Sequence, residues 1–373
     1  MKEGWKYVKL GDIATIIHGK NQKEVACENG TYPIYGSGGT IMGYASQYLC
    51  EEGSTILGRK GTIDKPLYIN HKFWNVDTAF GIVANKGVNK RFIYYTILSK
   101  DWKSKNSGTT LPSLTQSIVK ETECYLPPLA EQGEIVAYLD KEFALVDALR
   151  EKAGTQLQAA KDLFQATLKQ LLTPKDGWTI STIEESTTIK SGKRVPKGYK
   201  LEDCDTGHKY IRVADFDNFG SVDTSEIKYI NETIFNQIKR YIITSQDVYI
   251  SIAGTIGKTG IIPKELDGAN LTENANRFIL NKGINQRFFY YYTRSEIFQK
   301  EIKLSTTTSA QPKLAIMRLK KVSFAYPPLP EQESIVAQLD SLSEKCRKLE
   351  DNYRQTLTLC NDLKQALLKQ VFE

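Results

Sequence analysis

Leu126-Pro127-Pro128-Leu129-Ala130-Glu131-Gln132, continuing to Asp140, returns as Tyr326-Pro327-Pro328-Leu329-Pro330-Glu331-Gln332, continuing to Asp340. Between positions 127 and 140, ten of the fourteen residues equal their counterparts 200 positions later, far beyond chance, so the chain is an internal duplication. The repeat extends beyond this box with a drifting offset. Gly4-Trp5 recurs as Gly177-Trp178 (offset 173), Gly61-Thr62-Ile63 as Gly254-Thr255-Ile256 (193), and Lys86-Gly87-Val88-Asn89 as Lys282-Gly283-Ile284-Asn285 (196). From the Pro-Pro box to the end of each half, as far as Lys169-Gln170 and Lys369-Gln370, the offset stays at 200. Each half therefore joins a variable piece to a piece of fixed length.

The fixed pieces read as long helices. Ile135, Leu139, Phe143, Val146, Leu149, Ala153, Leu157, Ala160, Phe164, Leu168 and Leu171 follow one another in steps of three and four, one apolar stripe along a helix. Ile335, Leu339, Leu342, Cys346, Leu349, Tyr353, Leu357, Cys360, Leu363, Leu367 and Val371 repeat it. As continuous helices, 129–172 and 329–372 would each be about 66 Å long at 1.5 Å per residue. The Pro-Pro pair halts the preceding strand, and Glu131 and Glu331 place negative charge in the first turn, where the helix dipole favours it. Gly154 weakens the middle of the first helix by about 1 kcal/mol relative to Ala, which leaves room for a kink or a water-filled gap there.

Two equal stripes suggest each other as partners. The piece between them, 174–326, has a compact diameter on the order of 35–40 Å, too small for its ends to lie a further helix length apart. The second helix is therefore expected to run back along the first. The alternative is two unrelated amphipathic helices, each packed on its own domain. The expected fold class is α+β: two β-rich domains, 1–127 and 174–326, separated by a long antiparallel two-helix coiled coil from 128–173 and 327–373, with pseudo-twofold internal symmetry.

In the variable pieces, Tyr32–Tyr35, Ser54–Leu57, Leu67–Ile69 and Thr78–Val83 read as short strands between Gly, Asn and Asp, with one helix at Lys90–Lys100. The second piece echoes them at Tyr210–Val213, Val248–Ile252, Gly260–Ile262 and Arg277–Leu280, followed by a helix near Gln286–Lys300. Several loops have base-reading chemistry. Arg59-Lys60 lies between Gly58 and Gly61, so the backbone can approach a groove while Arg offers a fork to guanine and Lys a charge to phosphate. Tyr35-Gly36-Ser37-Gly38-Gly39 is a polar tongue with an aromatic at its base, which makes Tyr35 and Ser37 candidates. Lys193, Arg194, Arg212, Lys258, Asn274 and Arg277 are similar candidates in the second piece. Taken singly, an Arg or Lys beside Gly is more often an ordinary solvated turn than a base contact.

Enzyme motifs fail. Gly254-Thr255-Ile256-Gly257-Lys258-Thr259 resembles the tail of a phosphate-binding loop, but Ile252 stands where that loop needs its first glycine. Gly36-Ser37-Gly38-Gly39-Thr40-Ile41 ends on Ile41 where a dinucleotide fingerprint needs glycine. His18, His71 and His208 form no metalloprotease pattern. The six cysteines occur singly, without C-x-x-C spacing, pointing to a reduced compartment and no zinc site. No catalytic residue, metal or cofactor is expected. Fifty Lys plus Arg against forty-three Asp plus Glu give a net charge of +7, which permits a polyanionic partner without demanding one. No apolar run is long enough to span a membrane, and Met1-Lys2-Glu3-Gly4-Trp5 lacks the apolar block of a signal peptide, so a cytoplasmic protein is expected.

The doubled Pro-Pro-Leu-x-Glu-Gln-x-x-Ile-Val-x-x-Leu-Asp box, the Gly-Trp start of each half, Tyr35-Gly36-Ser37-Gly38-Gly39 and Gly58-Arg59-Lys60-Gly61-Thr62-Ile63 together resemble the specificity subunit of type I restriction-modification enzymes. The resemblance covers the whole chain. It implies a non-catalytic subunit of a DNA methylation and host-defence complex, in which each globular piece is a target recognition domain reading one half of a bipartite, asymmetric site in double-stranded DNA. The helices would then act as spacer and as docking surface for two modification (methyltransferase) subunits, through Pro128, Glu131, Gln132, Ile135 and Leu139 and their repeats Pro328, Glu331, Gln332, Ile335 and Leu339. Restriction (endonuclease and translocase) subunits would join through the complex, and all catalysis would lie in the partners. Two rival classes stay open: a dumbbell-shaped protein–protein adaptor without DNA specificity, distinguished by the absence of sequence-dependent DNA affinity, and an enzyme, distinguished by cofactor binding to the isolated chain.

Overall fold

The computed structural model describes residues 4–306 and 314–372; Met1-Lys2-Glu3 of the opening stretch lies outside the described residues. The chain divides into two units, Met1–Ala153 with Arg354–Glu373, and Gly154–Tyr353. Both long helices have the predicted bounds, Leu129–Leu172 and Leu329–Phe372, and each unit holds part of both.

In the first unit a four-stranded antiparallel sheet has the order Ala14–His18, Ala79–Ala84, Ser54–Gly58, Leu67–Ile69. The inner strand Ser54–Gly58 is buried throughout. Leu57, Phe80 and Ile82 on the two inner strands join Ile13, Ile93, Ile97 and Trp102 in one core, which is why these runs read as strongly apolar. A three-stranded sheet, Ile41–Ala45, Tyr32–Tyr35, Trp74–Asn75, contains one parallel pair. Lys6–Lys9 pairs antiparallel with Glu123–Leu126, so the start of the domain is tied to the strand that leads into the long helix.

The second unit repeats this topology. Its four-stranded sheet runs Thr187–Ser191, Ala275–Leu280, Val248–Ser251, Thr259–Gly260; its three-stranded sheet runs Lys228–Tyr229, Lys209–Ile211, Asn270–Leu271, again with the last pair parallel. Thr179–Thr182 pairs with Ser323–Tyr326 in the position of the first unit's terminal pair. Two α-helices of this half have no counterpart in the first among the described residues: Glu232–Ile238, and Glu296–Ser305 where one continuous helix to Lys300 was expected. The break falls at Arg294-Ser295, because Ser295 caps the new helix by accepting a hydrogen bond from the Phe298 amide. The helix expected at Lys90–Lys100 ends at Leu98.

The helical segments run antiparallel within each unit. In the first, Leu139 and Phe143 meet Leu367, Leu368 and Phe372, while the Cys360 thiol faces the Val146 carbonyl and Lys364 Nζ pairs with Asp147 at 2.6 Å. In the second, Cys346 faces the carbonyl of Ala160, and Phe164 and Leu168 share a core with Ile335 and Leu339. The first helix is continuous in hydrogen bonding through Gly154, where a methyl group would be in ordinary contact with the Tyr353 ring, 3.4 Å from its hydroxyl. The stripe is narrower than its sequence suggests. Leu149, Leu349 and Leu363 are exposed, because a straight helix turns a strict three-four alternation gradually away from its partner.

Candidate nucleic-acid interface

Three loops of the first unit come together. Residues 36–40 close on themselves through Gly36 N to Thr40 O (3.1 Å) and Gly39 N to Gly36 O (3.0 Å), with Gly39 at φ +79°, a left-handed conformation that favours glycine. The chain leaving the buried strand Ser54–Gly58 carries Arg59 and Lys60, whose amides both donate to the Thr78 carbonyl, at 2.8 and 3.1 Å. Gly61 N then donates to Pro112 O (2.8 Å), and Lys60 bridges Ser113. A methyl group on Gly58 would stand 1.8 Å from Thr62 O and 3.3 Å from Ser37 O, so this glycine lets the first two loops meet. Ser37, Arg59 and Lys60 therefore share one neighbourhood. Arg59 Nε donates to the Asp77 carbonyl at 2.7 Å, which steadies the guanidinium and leaves its terminal amino groups to meet a ligand, and Lys60 is exposed.

Tyr35 does not belong to this surface. It is buried against Phe73, its hydroxyl lies 3.1 Å from His71 Nε2, and burial pushes its phenol pKa up.

In the second unit Arg59-Lys60 has no counterpart, since Ile252-Ala253 occupy the corresponding place. Positive charge comes from another loop. Gly192 and Lys193 follow the strand Thr187–Ser191 and donate to Ala275 O (3.0 Å) and Leu271 O (2.8 Å). Arg194 pairs with Glu273 at 2.5 Å while its side chain stays 77% exposed, so a phosphate can compete for it; exposed pairs of this kind contribute about 0–1 kcal/mol. The carbonyl of half-buried Asn274, next in the chain, accepts from Ile252 N. Lys258 lies elsewhere, its Nζ on the Phe216 carbonyl at 2.9 Å, lining a polar cavity with Asp217 and Arg294.

Arg212 and Arg277, expected on the interface, are each engaged in an ion pair within their own domain. Arg212 grips buried Asp215 with Nε and Nη2 and donates to the Glu226 carbonyl; Arg277 is paired at 2.7 Å with Asp247, whose side chain is 4% exposed. Breaking either pair would leave a buried carboxylate uncompensated, so both arginines hold their own domain together.

The doubled box is likewise turned inward. Gln132 is buried, accepts from Asn89 N (2.9 Å) and donates to Pro127 O (2.9 Å); Gln332 accepts from Asn285 N (2.7 Å) and donates to Gly283 O and Pro327 O (2.9 and 2.8 Å). Asn89 and Asn285 in turn cap the helices Lys90–Leu98 and Gln286–Thr293. Glu131 and Glu331 accept from the indoles of Trp5 and Trp178. Asp140 holds Arg91 (2.6 Å) and the Tyr95 hydroxyl, and Asp340 holds Arg287 (2.6 Å) and the Tyr291 hydroxyl (2.5 Å). Leu139, Leu339 and Ile335 are buried and Ile135 is half-buried, leaving Pro128 and Pro328 as the exposed members of the expected docking set. The box is a latch that fixes each globular domain to the start of the helix that follows it.

Sequence reasoning missed Lys20. Gly19 N donates to Ala79 O (3.0 Å) and Lys20 N to Asn75 O (3.0 Å), the arrangement of Gly192 and Lys193. In both loops a methyl on the glycine would lie within 2.0 Å of a carbonyl oxygen, of Val76 or Thr272, so only glycine fits and the following lysine is presented outward. The signal was available, because the offset of 173 carries Gly19-Lys20 onto Gly192-Lys193.

Among the described residues no group of three or more His, Cys, Asp or Glu could hold a metal ion, and no helix is long and apolar enough to cross a membrane. All six cysteines are free.

Comparison with known proteins agrees with the duplicated fold. The family model for the type I restriction modification DNA specificity domain matches twice, over residues 2–158 and 175–359. The EcoBI specificity subunit of the type I restriction enzyme of Escherichia coli is 26% identical over 334 residues, covering 83% of this chain and 69% of that protein. A putative type I specificity subunit of Haemophilus influenzae, S.HindORF215P, is 25% identical over 353 residues, 90% of this chain and 86% of its own. Among solved structures, a chain from work on complex assembly and conformational transition of the type I R-M system superposes with a TM-score of 0.76 at 20% identity, covering 99% of this chain and 98% of that one. The HsdS subunit of Thermoanaerobacter tengcongensis gives a TM-score of 0.51 at 20% identity, with coverage of 100% and 97%. With two specificity domains spanning nearly its whole length, the chain belongs to the family of type I restriction-modification specificity subunits.

Proposed function

We propose that each unit reads one half of a bipartite, asymmetric site in double-stranded DNA, with the long helices serving as spacer and as the surface on which two modification subunits dock. Restriction subunits join through that complex, and the chain itself contributes recognition without catalysis, in the cytoplasm. The observation that carries this reading is the pairing of one repeated scaffold with two different cationic loop sets. Ser37, Arg59 and Lys60 gather in the first unit, with Lys20 on a loop held to the Asn75 carbonyl; Lys193, Arg194 and Asn274 gather in the second, with Lys258 apart from them. A phosphate contact needs only charge and is alike in both halves, whereas base contacts must differ for the two halves to read different sequences. Gly-Lys at 19–20 and 192–193 fits the first role; Arg59, with Ile252 opposite it in the repeat, fits the second.

Docking falls to the exposed outer faces of the helices rather than to the latch. Leu145 and Leu149 on the first helix, and Leu359 and Leu363 on the second, are exposed apolar residues of the first unit. The test is to assemble the chain with its modification subunits, methylate genomic DNA and sequence the modified sites. Arg59→Ala should relax one half-site and leave the other intact. Loss spread evenly over all sequences would make Arg59 a phosphate contact, and no sequence-dependent binding by the assembled complex would favour the protein–protein adaptor.

A further inference from the structure

We propose that Leu111 is a base-contacting residue of the first unit and recognises the 5-methyl group of a thymine in the major groove. This rests on the reading of that unit as a DNA-reading domain. A single exposed leucine is ordinary on a flexible loop, but residues 106–113 are held in place. Asn106 Oδ1 accepts from Gly108 N and Ser113 N, both at 2.8 Å, and its Nδ2 donates to Gly108 O at 3.0 Å. Ser107 closes the base of the loop through its amide on Ser113 O at 2.9 Å. A methyl on Gly108 would lie 2.0 Å from Leu111 O, so glycine is required for this closure.

The far end of the loop is fastened to the candidate interface itself. Pro112 O receives Gly61 N, and Leu114 N, beside a buried side chain, donates to Arg59 O at 2.8 Å. Leu111 is nevertheless 55% exposed, between exposed Thr110 and Pro112. A preorganised loop that holds an apolar side chain in water beside Arg59 and Lys60 is arranged to meet an apolar group within a polyanion. In the major groove, thymine offers that group, and apolar contact with its methyl is how it is read. A protein partner fits less well: Leu111 is a single exposed large apolar residue in a loop otherwise made of Asn106, Ser107, Gly108, Thr109, Thr110, Pro112 and Ser113, whereas docking surfaces present contiguous apolar patches of several hundred Å².

The test uses the chain assembled with its modification subunits and its target mapped by methylation sequencing. Duplexes are then made with deoxyuridine replacing thymidine, one position at a time. The parent complex should bind about fourfold more weakly at one position of the first unit's half-site, the factor that corresponds to about 0.8 kcal/mol for one buried methyl. Leu111→Ala should bind thymidine and deoxyuridine duplexes equally there, and every position of the other half-site should respond as in the parent. A half-site with no methyl-sensitive position, or an unchanged deoxyuridine penalty in Leu111→Ala, overturns the inference. So does a Leu111→Ala complex that loses modification subunits while keeping its thymine preference, since the loop would then be a protein contact. Arg59→Ala run in parallel separates the levels. If it relaxes the half-site while Leu111→Ala changes nothing, the thymine contact is wrong and the DNA-reading domain stands; if neither substitution alters any sequence preference, the reading of this face fails as well.

Discussion

Replacing Gln332 with Met separates a latch from a docking surface. Methionine keeps the length and approximate volume of glutamine but neither donates nor accepts as the amide does. Gln332 is fully buried and serves Asn285 N, Gly283 O and Pro327 O at 2.7, 2.9 and 2.8 Å. Gly283 is exposed, so water can replace the lost donor there. The Pro327 carbonyl belongs to a buried residue and Asn285 is half-buried, and each group left unpaired there costs about 1–3 kcal/mol. The expected loss is therefore about 2–6 kcal/mol, large against a total stability of about 5–15 kcal/mol. Gln132→Met should cost about the same, because Gln132 serves the equivalent pair, Asn89 N and Pro127 O. With a urea dependence of about 2–3 kcal/mol per molar for a unit of this size, each substitution should lower one unfolding midpoint by about 0.7–3 M. Unfolding of a two-unit chain is not a single two-state event. Hydrogen exchange read by mass spectrometry at increasing urea resolves peptides of each unit, and the loss should appear in the mutated unit alone. If Gln332→Met unfolds within about 0.5 kcal/mol of the parent but captures modification subunits more weakly, the box is a docking surface and the latch is wrong.

Lys20→Ala and Lys193→Ala should each reduce the slope of log affinity against log salt by about one while leaving the methylated sequence unchanged, as measured by titration of DNA at several salt concentrations. Gly192→Ala should destabilise the second unit by more than about 2 kcal/mol, since its methyl would stand 2.0 Å from Thr272 O, whereas Gly133→Ala, with open space around it in the first helix, should stabilise by up to about 1 kcal/mol in the same urea titration. The Thr182 amide holds the Glu185 carboxylate below its usual range, with help from the Thr182 and Ser181 hydroxyls. That contribution is complete above about pH 4.3, the unfolded value, and is lost as pH falls through the lowered folded value. A plot of melting temperature against pH should accordingly show Glu185→Gln below the parent at neutral pH and converging with it in acid.

What was legible in the sequence was whatever depends on local periodicity. The long helices were found at their observed bounds because their stripes persist for many turns. Lys6–Lys9, Ala14–His18 and Glu123–Leu126 were missed, as each is four or five residues long and is defined by a partner distant in the chain, Lys6 against Leu126 for example. Site residues were harder for a related reason. The type and spacing of Arg212 and Arg277 resembled those of Arg59, and what separates them is a carboxylate brought in by the fold: Asp215 three residues on for Arg212, and Asp247 across the sheet for Arg277. Gln132 and Gln332 looked like surface residues at the start of a helix, and only the approach of Asn89 and Asn285 buries them. Repetition in the box reads as a sign of a shared task, and the bonds the box residues make are internal to each unit.

The contrast between what is duplicated faithfully and what is not has a physical basis. Trp5, Asn89, Arg91, Tyr95, Glu131, Gln132 and Asp140 are matched by Trp178, Asn285, Arg287, Tyr291, Glu331, Gln332 and Asp340, and each pairing made in the first unit recurs in the second, where Gln332 adds a bond to the Gly283 carbonyl. Buried, mutually bonded groups are strongly coupled, so replacing one leaves another unpaired, and single changes are costly. Arg59-Lys60 and Ile252-Ala253 are under no such coupling: their backbones are held by amide-to-carbonyl bonds, such as Arg59 N to Thr78 O and Ile252 N to Asn274 O, which any non-proline side chain permits. A loop substitution can therefore change what a domain contacts without loosening its hold on the helix. Under the proposed function, the target sequence can diverge one half at a time while each domain keeps its orientation on the helix that follows it, provided the latch residues stay as they are.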